Sequence, residues 1–187
     1  MSSHGLTFGW ALFIFPSLSH WKNTQQRNVA IMARMTKYTT KLTENKRVTL
    51  EKEISMNCPT LSYAIKSPDD AATIGKEFMR IHEEPEEYMY MICMNTKNKV
   101  IGVFEISHGT VNASLVTPRE VFQKALLANA VSIILMHNHP SGDSTPSRQD
   151  IEITTRLTEA GKIVGVEVLD HIIVGDKYSS LKEKGYL

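Results

Sequence analysis

Residues 137–150 read HNHPSGDSTPSRQD. His137 and His139 sit two positions apart, and Asp150 follows at the far end of the stretch. In an extended segment, residues two apart point the same way, so both rings can aim at one point where a strand ends. Pro140 removes a backbone donor and stiffens the exit, and Ser141-Gly142 lets the chain turn back. Asp150 falls in the first turn of the next predicted helix, which can carry it to the same point. Two imidazoles and one carboxylate leave a fourth tetrahedral position open, as in a catalytic zinc site rather than a closed structural one. That position would hold a water whose pKa the metal lowers toward neutrality. The bland alternative is that Ser147 and Asp150 only cap a helix while the histidines bond loop carbonyls. A His-x-His pair after a buried strand, then a proline and Ser-x-x-Asp at a helix start, favours the metal. Iron or cobalt would accept similar ligands.

An activated water needs a proton acceptor, and a glutamate is the usual choice in zinc hydrolases. Glu86, Glu87 and Glu105 are the candidates. Glu86 and Glu87 stand where a predicted strand begins, and a carboxylate there can lean over the end of a neighbouring strand. Glu105 lies within the returning strand, between Phe104 and Ile106 on the opposite face. The commonest fate of any one glutamate is a solvated surface charge, and composition does not choose among the three.

A buried scaffold must hold these groups. VSIILM is too short for a helix and reads as a buried strand leading into the histidines. Ser147-x-x-Asp150 opens a helix, RQDIEITTRLTEA, that is expected to stop at Gly161. TPRE (117–120) is a second capping signature, followed by the helix REVFQKALLANA. SPDD (67–70) is a third, with Ala71, Ile74, Phe78 and Ile81 on an apolar face running to about His82. Residues 86–107 read as a hairpin, Tyr88–Met94 and Val100–Ile106 around the turn NTKN. Met89, Met91 and Met94, interleaved with Tyr90 and Ile92, read as sheet core. HGTVNASLV reads as a loop and short strand, and KIVGVEVLD and HIIVGD as two short strands. TKLTENKRVTLEKEI holds one short strand, and NCPT marks a turn. Strands alternate with helices, which predicts an α/β fold with one mostly buried, mixed sheet.

With 187 residues, the chain is long enough for one domain with a sizeable core plus extra sequence. Its net charge of +1 gives no bulk footprint for nucleic acid or acidic lipid. Two cysteines, Cys58 and Cys93, exclude a disulfide scaffold and favour a reducing, cytoplasmic setting. LTFGWALFIFPSL (6–18) is apolar but shorter than the roughly 20 residues that cross a bilayer. It also lacks the charged start and cleavage site of a secretory signal. Residues 1–35 are expected to be a leader, disordered or the product of a misplaced start, with Met32 and Met35 as alternative starts. Residues 36–66 form an extension, and 67–187 the main domain.

Taken together, HNHPSGDSTPSRQDIEIT, the upstream NTKNKVIG and HGTVNASLVTPREVFQKAL, and the downstream LDHIIVGDKYSSLKEKGYL resemble the bacterial RadC family, a branch of the JAMM/MPN metallohydrolases. The resemblance spans roughly Ser67 to Leu187. It implies a three-layer, cytidine-deaminase-like α/β domain, a mixed sheet flanked by helices. It implies zinc held by His137, His139 and Asp150, with Ser147 helping to hold a developing oxyanion. The family's glutamate precedes the first hairpin strand and so falls on Glu87, with Glu86 as neighbour and Glu105 a lesser candidate. The implied reaction is hydrolysis of an amide or isopeptide bond in a peptide or protein substrate. Asp170 and His171 also match the family, either as groups orienting a ligand histidine or as a turn aspartate and a strand-end histidine. Arg119 matches as well, and its plainest role is to pair with a carboxylate at a helix start. His108 and Gly109 serve a loop.

Two departures bear on function. Full-length RadC proteins resemble a fusion of this domain to an N-terminal helix-hairpin-helix module, and residues 1–66 do not read as one. The insertions that grip ubiquitin chains in related enzymes are not evident either. The competing functional class is a DNA-associated accessory module, with Lys97, Lys99, Arg148 and Arg156 lining one side. A catalytically silent scaffold is a third reading, and the complete ligand set counts against it.

Overall fold

A computed structural model of the chain describes residues 33–58, 64–109 and 116–187. Most of the expected leader lies outside the described residues, as do part of the NCPT turn and most of the strand expected after His108. The described residues build a seven-stranded mixed sheet in the order β2-β1-β4-β3-β5-β6-β7. The strands are β1 (Ala33–Leu42), β2 (Val48–Cys58), β3 (Glu87–Met94), β4 (Val100–Gly109), β5 (Ser132–Asn138), β6 (Glu167–Val174) and β7 (Tyr178–Ser180). Three helices join them: α1 (Pro68–Ile74), α2 (Pro118–Leu127) and α3 (Arg148–Val164). β1 with β4, and β5 with β6, are parallel pairs, while the remaining neighbours are antiparallel.

The two-residue period of each strand divides the core into two layers. Tyr90, Ile92 and Met94 of β3, with Ile134 and Met136 of β5, pack against Ala71 and Ile74 of α1. Met89, Met91 and Cys93, with Ile133 and Leu135, pack on the other face against Val121 and Phe122 of α2 and Ile153 and Leu157 of α3. The domain is therefore a three-layer α/β fold, as the resemblance implied, and the methionine cluster is sheet core. Burial pushes the Cys93 thiol up to about 12, which keeps it protonated and inert. No helix among the described residues is long and apolar enough to cross a membrane.

Several elements differ from the sequence reading. The segment expected to hold one short strand forms two long ones, β1 and β2, turning at 43–47, and β1 joins the main sheet beside β4. The first helix is α-helical only to Ile74 and continues as one wide π turn, Gly75–Met79. It stops at Arg80, which takes a left-handed conformation with φ of 54°, and a short 3-10 turn, Ile81–Glu83, follows. α3 runs through Gly161 to Val164 and ends at Gly165, whose φ of 79° is the left-handed cap. Gly161 is a packing glycine: a Cβ there would stand 2.5 Å from the Val166 carbonyl oxygen. The helix thus absorbs KIV, and what remains of the two expected strands is one continuous strand, β6.

The loop after β5 is laid on the end of β6 by two backbone hydrogen bonds, His139 N–H to Val174 O (2.9 Å) and Asp176 N–H to Gly142 O (2.9 Å), and is closed on itself by a third, Gly142 N–H to His139 O (3.0 Å). Gly175 permits this approach, since a Cβ there would collide with the Gly142 carbonyl and stand 3.1 Å from the Ser144 nitrogen. Gly175→Ala is expected to destabilise the fold by about 1–3 kcal/mol, as overpacking against backbone does, read from the denaturant midpoint. An unchanged midpoint would show that the loop yields without cost.

Candidate metal centre

β5 ends with His137 and Asn138, and His139 follows immediately. The alternation that sends Ile133 and Leu135 toward α3 sends His137 and His139 the same way. α3 begins at that point. Its cap is a reciprocal pair: the Asp150 N–H donates to Ser147 Oγ (3.1 Å), and the Ser147 N–H donates to Asp150 Oδ2 (2.7 Å). Asp150 therefore caps the helix, as the bland reading holds, and also faces both histidines. Its Oδ1 is 3.2 Å from His137 Nε2, and its Oδ2 is 3.4 Å from His139 Nε2. The two Nε2 atoms are 3.0 Å apart.

The carboxylate thus turns one oxygen to each ring, and the three groups stand at separations comparable to those around a metal ion. Nitrogen and oxygen ligands about 2.0–2.1 Å from a tetrahedral ion stand about 3.3 Å from one another. A charge-assisted hydrogen bond would bring the partners closer, to about 2.7–2.9 Å. His139 Nδ1 lies 2.6 Å from the Asp143 carbonyl oxygen. A carbonyl only accepts, so Nδ1 carries the hydrogen and the neutral ring presents a lone pair at Nε2. His137, His139 and Asp150 form a group able to hold a metal ion, with one ligand atom from each within 4.8 Å of the others.

The electrostatics agree with that fit. Burial pushes the Asp150 carboxyl up, but the His137 and His139 rings and the bond from Ser147 reverse this and hold it well below the usual carboxylate range. Contact with Asp150 raises the His139 pKa against the opposing effect of burial, and the Glu87 charge adds to the rise. Both shifts have one cause: the carboxylate and the rings stabilise each other's charged forms. Burial lowers the His171 pKa well below the ordinary histidine value, and the nearby His137 charge lowers it further.

The glutamates separate clearly. Glu87 opens β3 and is near enough for its charge to act on His139. Glu86 is exposed, and its backbone carbonyl accepts from Asn138. Glu105 is engaged elsewhere, 3.0 Å from Lys37 Nζ and 3.1 Å from His108 Nδ1. Ser147 sits at the α3 start, its Oγ accepting from Asp150 N–H and its own hydroxyl hydrogen left to donate. Asp170 ties down the C-terminal segment, accepting from the backbone N–H groups of His171 (2.7 Å) and Lys182 (3.1 Å) and from the Ser180 hydroxyl (2.6 Å). The four basic residues expected along one side are carried by different elements. Lys97 and Lys99 lie at the β3–β4 turn, past Met94, whereas the register Met89–His137 puts the ligands and Arg148 at the other end of β3. Arg148 bonds Glu152 (2.7 Å), and Arg156 bonds the Val116 carbonyl (2.6 Å).

Asn138 is the residue that sequence reasoning missed. It lies between the two histidines and so projects to the opposite face. There Nδ2 donates to the carbonyls of Glu86 (2.9 Å) and Glu84 (3.3 Å), and Oδ1 accepts from the Tyr88 N–H (2.7 Å). The Glu86 carbonyl and the Tyr88 N–H belong to the two peptide groups that flank Glu87. The carboxamide thus fixes the backbone from which Glu87 projects. A buried polar side chain between two ligands, with no partner nearby in sequence, was the available signal. Asn138→Ala is expected to cost about 1–3 kcal/mol and to accelerate hydrogen exchange at the Tyr88 amide. Retained protection there would mean that other contacts fix this segment.

Comparison with known proteins fits this arrangement. Residues 65–186 match the RadC-like JAB domain. A UPF0758 protein of Alkaliphilus metalliredigens (strain QYMF) is 52% identical over 141 residues, covering 75% of this chain and 60% of that protein. UPF0758 proteins of Geobacillus sp. (strain WCH70) and Bacillus cereus (strain 03BB102) are each 54% identical over 126 residues, covering 67% of this chain and 55% of those proteins. The chain thus spans between half and two thirds of the length of these curated relatives. By the extent of that match, and by the seven-stranded scaffold that carries it, the chain belongs to the RadC-like JAB domain family.

Proposed function

We propose that this protein is a zinc-dependent metallohydrolase, a JAMM-type metallopeptidase that cleaves an amide or isopeptide bond in a peptide or protein substrate. The observation that carries the reading is the convergence of His137 Nε2, His139 Nε2 and the Asp150 carboxylate into one group able to hold a metal ion. Those three residues would hold the zinc. When bound, the ion supplies Lewis acidity, polarising a carbonyl and lowering the pKa of a water.

The remaining steps belong to the chain. The Glu87 carboxylate takes the attacking water's proton and passes it to the leaving amine. Its proximity to His139 and the backbone clamp from Asn138 support this role. The Ser147 hydroxyl donates to the oxyanion as the tetrahedral state forms. Asp150 remains ionised and holds the α3 N-terminus against the site, where the helix's partial positive charge favours the carboxylate. The free Cys93 thiol supports a reducing, cytoplasmic setting.

Elemental analysis of the purified protein should find about one zinc per chain, lost in the double variant His137→Ala/His139→Ala. A native protein that holds no metal even after reloading would overturn the metal reading. Glu87→Gln should retain the zinc and lose about 10²–10⁴-fold in turnover of a peptide substrate found by screening with a chelator control. Full turnover in that variant would remove Glu87 as the base.

A further inference from the structure

Behind the ligands runs a chain of buried hydrogen bonds that the hydrolytic reading does not use. Thr154 Oγ1 lies 2.5 Å from the Asp150 carbonyl oxygen and 2.6 Å from His171 Nδ1. His171 Nε2 lies 2.8 Å from His137 Nδ1. Thr154, His171 and His137 are each fully buried. Thr154 is one turn along α3 from Asp150, and His171 is on β6, beside the Leu135 position of β5.

The direction of every bond follows from its first member. A carbonyl oxygen has no hydrogen, so the threonine must give its only one to Asp150. Its oxygen can then only accept from His171, so His171 Nδ1 carries a hydrogen. A neutral imidazole has one N–H, which leaves His171 Nε2 as an acceptor. His137 Nδ1 must therefore donate to it, and the lone pair of His137 falls on Nε2, the atom aimed at Asp150 and His139. The alternative, a doubly protonated His171, would put an unpaired charge in a fully buried position where no carboxylate touches its ring, which is costly.

We infer that Thr154 and His171 are positioning residues that preset the tautomer of His137, so that its Nε2 is ready to bind a metal before any metal arrives. The inference rests on the proposed metal site for its purpose, but not for its geometry. The relay begins on the backbone carbonyl of Asp150 and ends at the side-chain carboxylate of the same residue. One ligand therefore sets the protonation pattern of another through β6. His139 is set separately, by the Asp143 carbonyl. Mispairing the relay would turn a hydrogen on His137 Nε2 toward the site and block that ligand.

The test reads tautomers in the metal-free protein. Nitrogen-15 NMR is recorded at alkaline pH, where the imidazoles are neutral. His137 and His171 are both expected in the Nδ1–H form. A His137 signal in the Nε2–H form would overturn the inference, and this needs no variant. Thr154→Val removes the hydroxyl while keeping the shape. It should weaken zinc affinity about 10–100-fold in chelator competition, as loss of an outer partner does, with mixed tautomers at His137. Thr154→Ser should restore both. Native affinity and an unmixed tautomer in Thr154→Val would also overturn the inference. Native protein that takes up no zinc yet shows the expected tautomers would overturn the proposed metal reading while bearing out the relay.

Discussion

The candidate metal centre depends on β5 being buried on both faces. All seven of its residues, Ser132 to Asn138, are buried. In a strand with one wet face, hydrophobic alternation fixes which side chains point inward. Here Ile133, Ile134, Leu135 and Met136 are all apolar, and either face would accept them. The polar residues at the strand end break the tie. His137 meets Asp150 and His171 on the α3 side, and Asn138 meets the Glu84–Tyr88 backbone on the α1 side. A one-residue slip would exchange them, burying imidazoles against carbonyls and a carboxamide against a carboxylate. The groups that form the site therefore also fix the register of the strand that carries them.

This has an energetic consequence. Each buried polar group left unpaired costs about 1–3 kcal/mol, so a polar cluster in a core must be satisfied as a whole. Three local devices satisfy this one. The Ser147–Asp150 reciprocal cap ties the carboxylate to the helix start. The Gly142–Gly175 approach lays the loop down so that the Asp143 carbonyl reaches His139. The Thr154 hydroxyl, turned back onto the Asp150 carbonyl one turn earlier, connects the helix to His171. The remaining imbalance lies at the ligand point itself, where two ring nitrogens and a carboxylate meet in a group able to hold a metal ion.

The legible parts of the fold were the local ones. All three helix starts could be read because Ser67, Thr117 and Ser147 make their capping bonds three residues away. The β3–β4 hairpin and the triad could be read for the same reason, since strand period and capping chemistry act over a few residues. The end of α3 was not legible. Gly161 and Gly165 are both plausible stops in sequence, and only packing against Val166 shows that the first one is inside the helix. β1 and β2 escaped because they are largely exposed strands at one edge of the sheet, where Ile54 and Met56 stand in solvent and the apolar alternation is weak. Asn138 and His171 act across 50 and 34 residues of sequence, distances over which spacing carries no information.

The exposure of the ligands indicates how a substrate would approach. The His137 and Asp150 side chains are sealed, at 0% and 4% exposed, while His139 keeps 15%. His139 lines a cleft of about 580 Å³ whose walls include Pro85, Pro140 and Gly175. Lys76, Glu84 and Asp176 also line it, so both signs of charge border the opening. A site built for a polyanion would gather one sign of charge to steer it. This mixed rim, on a chain with a net charge of +1, offers no such field. His139 is thus the one member of the candidate ligand group that reaches the cleft, and the other two are presented from behind it.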